Sequence, residues 1–373
     1  MDLELDDEQR ALVDSVRSVL ATAWPVTSLR SMVEQGSDAD HLWSTMVALD
    51  WPALCVPRDA GGMGYGPVEA MLINEGCGRA VAAGPFFTTT ALFAPVVSAV
   101  GTDAQARRWL PQVAAGELTG TAAIGELRSS SGRPTVDGIR RDGGWELNGI
   151  CRSVIEASRV SVIAVPASSA EGVMVAVVPA AQGRPVPIRS VDASRELATV
   201  TFDGVFVESD AVLGDPGDPS SGPSLDWAVD HAVVALAAEL VGTCTSILDM
   251  VLEHARQREQ FGVKIGSFQA LKHRLADCFI ELEAARSSVR VASIALGEQD
   301  ARRAVAASSA MALAGDCARR ITGEGIQILG GIGFTWEHDI HLLIKRALGS
   351  SVLLGSPEVH RQRVADLIGL VPT

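Results

Sequence analysis

The sequence has little positive charge, few cysteines and no long uninterrupted apolar segment. Its 31 lysines and arginines are outnumbered by 45 aspartates and glutamates, which gives a formal net charge of −14. A chain with this overall field is a poor partner for nucleic acid or an anionic membrane. We therefore expect neither kind of binding, although a local basic patch can still hold one phosphorylated ligand.

The six cysteines include no C-x-x-C pair, and no histidines lie at zinc-binding spacing. This pattern predicts reduced, mostly buried thiols in a cytoplasmic protein without a metal site. The N-terminal stretch MDLELDDEQR is acidic, whereas a signal peptide begins with basic residues, so no signal peptide is expected. Apolar runs such as ALFAPVVSAV are too short to span a bilayer, so no membrane span is expected.

The pattern of apolar and turn-forming residues changes twice along the chain. Helical patterns cover residues 1–117, short β-rich runs with turn signals cover 118–222, and long helical patterns cover 223–373. A length of 373 residues is also more than one ordinary core requires. The predicted fold is α+β, with an N-terminal α-helical domain, a middle antiparallel β-barrel or sandwich domain, and a C-terminal four-helix bundle.

Finer boundaries follow from the same patterns. The predicted turns of the β domain are Asp142-Gly143-Gly144, Asn148-Gly149 and Asp203-Gly204. A Gly/Pro/Ser/Asp segment, GDPGDPSSGPS, predicts a linker before the last domain. The predicted helices of that domain are 226–257, 268–297, 301–331, 340–354 and 358–368.

The segment RQREQFGVKIGSFQ, residues 256–269, connects the first two of those helices. Gly262 is expected to end one helix and Ser267 to cap the next, with Arg258 and Phe261 on one face of the last turn. Arginine, phenylalanine and glutamine together suit an anionic, planar ligand. A structural explanation is also open, in which the arginines favour the helix C-terminus and both phenylalanines lie in the core.

A second glycine-rich element, QILGGIGF, follows the alanine-rich helix at residues 327–334. Its glycines allow a ligand to approach the backbone closely at a helix end. A helix C-cap followed by a plain turn explains the same residues.

Together the two elements resemble the acyl-CoA dehydrogenase family. The family patterns R-x-x-F-G, F-Q and Q-x-x-G-G-x-G-F are matched here by Arg258, Phe261, Gly262, Phe268, Gln269 and residues 327–334. The resemblance implies a helical, β and helical fold, a tetramer built from dimers, and FAD-dependent α,β-dehydrogenation of acyl-CoA thioesters. It also implies electron-transferring flavoprotein as the acceptor.

The resemblance further implies which residues contact the cofactor. In the family the matched positions hold the ADP half of an FAD whose ring lies in the neighbouring subunit. The implied cofactor-binding residues are Arg258, Gln260, Phe261, Gln269, Gln327, Gly330 and Gly331.

Positions that face the flavin ring in the family are different here. Gly125 takes the place of a hydroxyl residue, Ser153 the place of a tryptophan, and Ile155 the place of a second hydroxyl residue. An aromatic wall and a hydrogen bond to the ring are therefore missing. The resemblance thus predicts that this chain's own ring pocket retains flavin poorly.

The two positions that carry the catalytic base in the family are also empty. Leu354 stands at the glutamate position near the C-terminus, and Ala232 stands at the alternative position, followed by Val233 in place of an arginine. Abstraction of a proton α to the thioester requires a base, which these side chains cannot supply. Asp230, alone or paired with His231, and Glu239 are candidate replacements. Alternatively, Asp230 and His231 cap or decorate the helix start, and Glu239 pairs with an arginine of the bundle.

The favoured expectation is a subunit without a catalytic residue that completes the FAD site of a Glu-bearing homologue. It resembles the base-lacking subunit of actinobacterial α2β2 heterotetramers that act on bulky CoA thioesters such as steroid side chains. Two alternatives are open: a homotetrameric enzyme with a relocated base, and a flavin-free scaffold.

Overall fold

The N-terminal part of the protein is a helical domain. The computed structural model describes residues 3–128 and 132–370. In α1, Asp6 accepts a hydrogen bond from the Gln9 N–H and the Gln9 side chain returns one, so this acidic start forms a capping box. The helices are α1 (Asp7–Ala23), α2 (Val26–Gln35), α3 (Asp40–Ala48), α4 (Pro67–Ala80), α5 (Ala94–Val100) and α6 (Asp103–Ala114).

The middle part is a single eight-stranded sheet. Its strands are β1 (Gly120–Ala122), β2 (Val136–Arg141), β3 (Gly144–Ile155), β4 (Val162–Ser169), β5 (Gly172–Pro179), β6 (Val186–Ile188), β7 (Leu197–Glu208) and β8 (Val212–Leu213). The spatial order is β6-β7-β3-β2-β4-β5-β8, with β1 paired to β4. Neighbours are antiparallel, except that β4 runs parallel to β1 and to β2.

Only one of the three predicted turn signals joins two strands. Asp142-Gly143 connects β2 to β3, whereas Asn148-Gly149 lies within β3 and Asp203-Gly204 within β7. The pairing register of these two strands shifts at Gly149, so the two inner signals mark a β-bulge. Gly149 has a φ of 148°, and a Cβ there would lie 2.4 Å from the Thr135 carbonyl oxygen. Glycine is required at this bulge by close backbone approach, which explains why the turn prediction was wrong there.

The C-terminal part is helical, and the predicted fold class is confirmed. Its elements are α7 (Ser221–Gln257), β9 (Glu259–Gln260), β10 (Val263–Lys264), α8 (Gln269–Gly297), α9 (Arg303–Leu329), α10 (Ile340–Ser350) and α11 (Pro357–Leu367). α7 begins inside the predicted linker, because Pro223 lies in its first turn, where a missing N–H costs nothing. α10 ends earlier than predicted, and the following turn carries Leu354.

The central helix of the protein is α7. An 18-residue window within it has a mean hydropathy of 1.6, and 94% of that window is buried. It packs against α4 at very short range, since a Cβ on Gly242 would lie 1.9 Å from the Glu75 carbonyl oxygen. Its apolar length therefore belongs to the core that joins the first and last helical regions. The domain limits 1–117, 118–222 and 223–373 stay our proposed division.

Candidate functional site

The segment after α7 is a small hairpin. α7 ends at Gln257, and the Arg258 N–H donates to the His254 carbonyl at 2.8 Å before the chain turns extended. Phe261 (φ 53°) and Gly262 (φ 78°) form the tip between β9 and β10. The prediction that Gly262 ends the helix and that Arg258 and Phe261 share a helical face was wrong. The backbone leaves the helix earlier, because the hairpin supplies its own pairing.

Ser267 does not cap the next helix either. Its hydroxyl donates to the Lys264 carbonyl at 2.6 Å, and α8 begins after Phe268 without a side-chain cap. The Phe261 side chain is 92% exposed, and its ring centroid lies 6.3 Å from that of Phe268 in an edge-on arrangement. The alternative that placed Phe261 in the core was therefore wrong for this chain. An aromatic side chain exposed to this degree is typical of a surface that meets a ligand or a partner.

The glycine-rich element forms a tight turn at the end of α9. The Gly330 N–H donates to the Ile326 carbonyl and Gly330 has a φ of 62°, so it is the helix C-cap. Gly330 and Gly331 both border open space, because a Cβ on either would meet nothing within 4 Å. Phe334, at the end of the turn, is 76% exposed. The C-cap explanation and close ligand approach are therefore compatible.

Both elements lie at one end of the bundle. A Cβ on Gly325, in the last turns of α9, would lie 3.4 Å from Val251 in the last turns of α7. Burial, the charge of Arg258 and that of His338 lower the pKa of His254, so His254 and His338 are close enough for their charges to interact. We call the seven predicted cofactor-binding residues the exposed wall; all but the half-buried Gly330 are exposed. The members are Arg258, Gln260, Phe261, Gln269, Gln327, Gly330 and Gly331.

The ring pocket, defined by Gly125, Ser153, Ile155 and Leu354, is closed. The cavity that these residues line measures only about 10 Å³, which is room for about one water molecule. Leu354 is 2% exposed and fills the position where the family places its base. A flavin ring does not fit this pocket as the chain builds it, whereas the exposed wall presents the guanidinium, ring face and open backbone suited to an ADP group.

A buried histidine fixes the turn that carries Leu354. His360 Nε2 lies 2.9 Å from the Leu354 carbonyl oxygen. Burial lowers the pKa of His360 to about 4, so the ring is neutral at neutral pH and Nε2 is assigned as the donor. The leucine is therefore held in place by its own backbone as well as by packing.

Asp230 is fully buried in α7, so the alternative that it caps or decorates the helix start was wrong. Its Oδ1 accepts from Arg128 Nη2 at 2.9 Å and from Arg363 Nη1 at 2.7 Å. Arg303 Nε lies 3.8 Å from Oδ2. Three guanidinium groups surround this carboxylate, which leaves no approach for a substrate carbon. The spacing of these arginines in the sequence carried no signal of the cluster.

His231 does not form a catalytic pair with Asp230. It is buried next to Trp227, with the two ring centroids 5.6 Å apart. Burial lowers the pKa of His231 to about 4. Its Nδ1 has no hydrogen-bond partner within residues 3–128 and 132–370. It is therefore a neutral histidine of the core.

Glu239 is buried and ion-paired, as the structural alternative anticipated. Arg195, from the β domain, donates a short hydrogen bond to its Oε2, and the Ser350 hydroxyl donates to Oε1 at 3.2 Å. Arg346 Nη1 lies 3.6 Å from Oε1. A carboxylate held from three sides is poorly placed to act as a base for a substrate.

Arg346 extends this network and was missed by sequence reasoning. It is fully buried, and its Nε donates to Asp192 at 2.8 Å while Nη2 donates to the Ser194 carbonyl at 2.9 Å. Together with Arg195 and Glu239 it joins the β domain to α7 and α10. One signal was available, since Arg346 interrupts the apolar face of HLLIKRAL. We call Arg195, Glu239, Arg346 and Asp192 the buried ion network.

Comparison with known protein families gives a consistent assignment. Residues 6–117 match the model "Acyl-CoA dehydrogenase, N-terminal domain", and residues 224–369 match "Acyl-CoA dehydrogenase, C-terminal domain". The chain is 31% identical over 366 residues to acyl-CoA dehydrogenase IpdE2 of Mycobacterium tuberculosis, covering 97% of this chain and 98% of that protein.

Solved structures share the fold over the whole chain. One is a variant of the Tcur3481-Tcur3483 steroid acyl-CoA dehydrogenase, with a TM-score of 0.87, 27% identity and 98% coverage of both chains. Another is from the ChsE4-ChsE5 complex of Mycobacterium tuberculosis, with a TM-score of 0.90, 21% identity and 100% coverage of both chains. The chain therefore belongs to the acyl-CoA dehydrogenase family of FAD-dependent oxidoreductases.

Proposed function

We propose that this chain is a subunit without a catalytic base that completes the FAD site of a Glu-bearing homologue in an α2β2 tetramer. The observation that carries the proposal is the contrast within one chain: the exposed wall is open, whereas the ring pocket measures about 10 Å³. A subunit that used its own flavin ring would need both regions. A subunit that serves a neighbour's flavin needs only the first.

Each part of the exposed wall has a defined task in this proposal. Arg258 offers a planar, permanently charged donor set to the pyrophosphate. Phe261 offers a ring face to the adenine. Gln269 and Gln327 offer amide groups to the ribose or the base, and the N–H of Gly331 lies where a phosphate can approach the backbone. None of these tasks requires a catalytic residue in this chain.

The chemistry itself would then belong to the partner's pocket. There, bound FAD would supply an acceptor for the hydride of the substrate's β carbon, and a glutamate of the partner would take the α proton. This chain holds and orients the ADP half, and its Leu354 and Ala232 remain part of its own packing, since both are buried. In this proposal, the exposed wall would help to position the flavin in the partner's pocket without contacting the reacting atoms.

Several further assignments follow from the family and from similar proteins. We propose a bulky CoA thioester, such as that of a steroid side chain, as the substrate, supported by the 27% identity to a steroid acyl-CoA dehydrogenase. Electron-transferring flavoprotein is the proposed electron acceptor and the cytoplasm the proposed location. The likeness to a chain from a two-protein complex supports a heteromeric assembly.

The alternative enzyme with a relocated base is disfavoured by contacts. Asp230 is enclosed by Arg128, Arg303 and Arg363, and Glu239 is bound by Arg195. A flavin-free scaffold is disfavoured by the exposed wall, since a scaffold has no need for Phe261 at 92% exposure. Asp230→Asn in the isolated chain tests the first alternative, with circular dichroism as the check on folding, because a relocated base requires an active isolated chain whose folded variant loses that activity.

The direct test compares the isolated chain with the co-expressed pair. The isolated chain is expected to be colourless and inactive with an acyl-CoA and an artificial electron acceptor. Co-expression with a Glu-bearing homologue is expected to give yellow, active protein. Arg258→Ala in this chain should then lower activity and FAD affinity by roughly 10- to 100-fold, the value of a charge-assisted hydrogen bond.

Arg256→Ala is the matched control, since Arg256 lies two residues away, is exposed and only approaches Glu253 at 3.8 Å. It should leave flavin content unchanged. A yellow and active isolated chain would refute the proposal, and so would an Arg258→Ala pair with unaltered FAD affinity.

A further inference from the structure

A cavity separate from the ring pocket lies beside the C-terminal half of α7, between the N-terminal helices and the bundle. It measures about 610 Å³ and is bounded by α1, α2, α4, α7, α8 and α10. Clefts of about 300–1,000 Å³ at domain junctions are the usual size and place of small-molecule sites. Its position on α7, at Thr245, Ser246 and Met250, separates it along the chain from Ala232 and from the turn of Leu354.

The inner surface of this cavity is largely apolar. Leucine, valine, methionine and tryptophan side chains from five helices and the α1–α2 junction contribute to it. Representative lining residues are Leu20, Trp24, Leu29, Leu72, Met250 and Leu343. Several of them are buried in the surrounding packing, so the surface is preformed rather than created by a loop. An apolar body of a ligand is what such a surface stabilises.

The polar groups of the cavity have an excess of positive charge. Four arginines line it, Arg17, Arg79, Arg286 and Arg290, against the two glutamates Glu75 and Glu283. Arg79 is also paired at 2.7 Å with Asp249, an acid outside the lining, so one positive charge remains in excess. This excess stands out in a chain whose formal net charge is −14.

Both glutamates are bound by a single arginine. Arg286 Nε donates to Glu75 at 2.9 Å, its Nη1 donates a short hydrogen bond to Glu283, and its Nη2 donates to the Thr245 hydroxyl at 2.7 Å. Arg286 therefore holds both glutamates of the cavity, and among the residues that the structure describes no ion pair joins either of them to Arg17 or Arg290. These two arginines are left to face an anion.

Arg290 carries an unused donor. Its Nε is buried and has no hydrogen-bond partner among the residues that the structure describes, and its Nη1 makes only a long contact, 3.4 Å, to the Leu3 carbonyl. Buried donors of this kind normally have partners, so an unpaired one beside a cavity indicates where a ligand acceptor belongs.

We propose that this cavity binds an amphipathic monocarboxylate, with the apolar body among the leucines and the carboxylate at Arg290 and Arg17. The ligand class follows from the combination of an apolar interior, one excess positive charge and a planar donor that suits a carboxylate. The site is separate from the exposed wall and from the ring pocket. It does not rest on the proposed function, since binding there requires neither FAD nor a partner.

The test is calorimetric titration of the full chain with decanoate and with cholate, which share a carboxylate and differ in the apolar body. Saturable binding of either acid at one site per chain is expected. The acid with the higher affinity shows whether the cavity prefers a linear chain or a fused ring system. Decanol, which lacks the charge, should bind about tenfold more weakly or worse than decanoate. Repeating the titration on the co-expressed pair shows whether the cavity stays open in the assembly.

Variants separate a real site from surface adsorption. Arg290→Met and Arg17→Met should each weaken carboxylate binding by about tenfold. Arg319→Met is the control, because Arg319 is an exposed arginine outside the cavity that pairs with Glu358. Ala21→Phe, on the exposed part of α1, should obstruct the cavity without disturbing the fold. Absence of saturable binding by both acids would overturn the proposal, as would equal affinities in the Arg290, Arg17 and Arg319 variants.

Discussion

The exposed wall and the ring pocket differ in every property that a binding site needs. The wall has an aromatic ring at 92% exposure and glycines that border open space. The ring pocket has a leucine at 2% exposure and a cavity of about 10 Å³. In the family every subunit supplies both regions, one to its own flavin and one to its neighbour's, so their divergence within this chain is the contrast on which the proposed heteromeric site rests.

The contrast also shows where this chain's stability comes from. Near the ring pocket, the buried charged groups are paired within the chain, in the buried ion network and in the Asp230 cluster. Near the wall, polar and aromatic side chains remain exposed. Substitutions around the pocket should therefore change folding, whereas substitutions in the wall should change cofactor binding.

The largest effect is expected from Arg346→Met in the buried ion network. It leaves Asp192 without its guanidinium partner, while Glu239 keeps Arg195. Loss of one partner of a buried pair costs about 3–5 kcal/mol of unfolding free energy. Denaturant unfolding monitored by circular dichroism measures it. Arg319→Met is the control, since its surface pair with Glu358 at 3.1 Å is worth about 1 kcal/mol or less. Equal losses in both variants would mean that the network does not stabilise the closed pocket.

The next effect is a loss of stability in acid. His231 and His360 have folded pKa values of about 4, against 6.5 for a free histidine, because burial disfavours the charged ring. Below pH 6.5 these two histidines become protonated in the unfolded chain but stay neutral in the native chain. The unfolding free energy therefore falls as the pH drops towards 4, by up to about 3 kcal/mol for each histidine.

Unfolding curves between about pH 7 and about pH 4 measure this dependence, because the change in stability falls between the unfolded and the folded pKa values. His360→Gln is the comparison, since glutamine can still donate to the Leu354 carbonyl but does not titrate. The variant should lose part of the slope while remaining folded. A slope identical to that of the unaltered chain would show that His360 is already accessible to protons.

A smaller effect is expected from Phe261→Ala in the exposed wall. Stacking of a base on an aromatic side chain is worth about 1–3 kcal/mol, so FAD affinity and activity of the co-expressed pair should fall roughly tenfold. Stability should change by no more than about 0.5 kcal/mol, because the ring makes few internal contacts. Phe206→Ala, an exposed phenylalanine on β7, is the matched control and should affect neither quantity.

The smallest effect on activity is expected from Leu354→Glu, although a carboxylate buried there should lower stability. A carboxylate at this position neither enlarges the ring pocket nor supplies the flavin-facing groups that are absent at Gly125, Ser153 and Ile155. The isolated chain should therefore stay inactive. The activity assay of the isolated variant, beside Leu354→Gln, checks this. Activity in the glutamate variant alone would show that the pocket opens far enough to accept flavin and substrate.

The order of the three structural regions followed from the sequence, because helical periodicity and β-rich alternation are local signals. The cofactor-binding role of the exposed wall came from the family resemblance and stays a prediction. The hairpin around Phe261 was mistaken for a helix end, since a glycine after apolar residues is common to both. Asn148-Gly149 was mistaken for a turn, because a bulge and a turn both favour glycine. Local sequence patterns could not distinguish a hairpin from a helix end, or a bulge from a turn.

The closure of the ring pocket was only partly predictable. The residues at Gly125, Ser153 and Leu354 indicated that groups facing the flavin are absent. They did not reveal that Arg128 and Arg363 meet at Asp230, or that Arg195 and Arg346 meet at Glu239. Those partners lie 44 to 133 residues apart in sequence, and only the three-dimensional packing of the β domain and the last helices on α7 brings them together.

The most direct test of the central claim is the number of FAD molecules bound by the purified co-expressed pair. Visible absorbance of the released flavin gives the amount of FAD, and native mass measurement gives the number of each chain. The account predicts one FAD for each pair of unlike chains, lost when Arg258 of this chain is changed to alanine. Two FAD molecules for each pair would contradict it, because this chain's own ring pocket would then hold flavin.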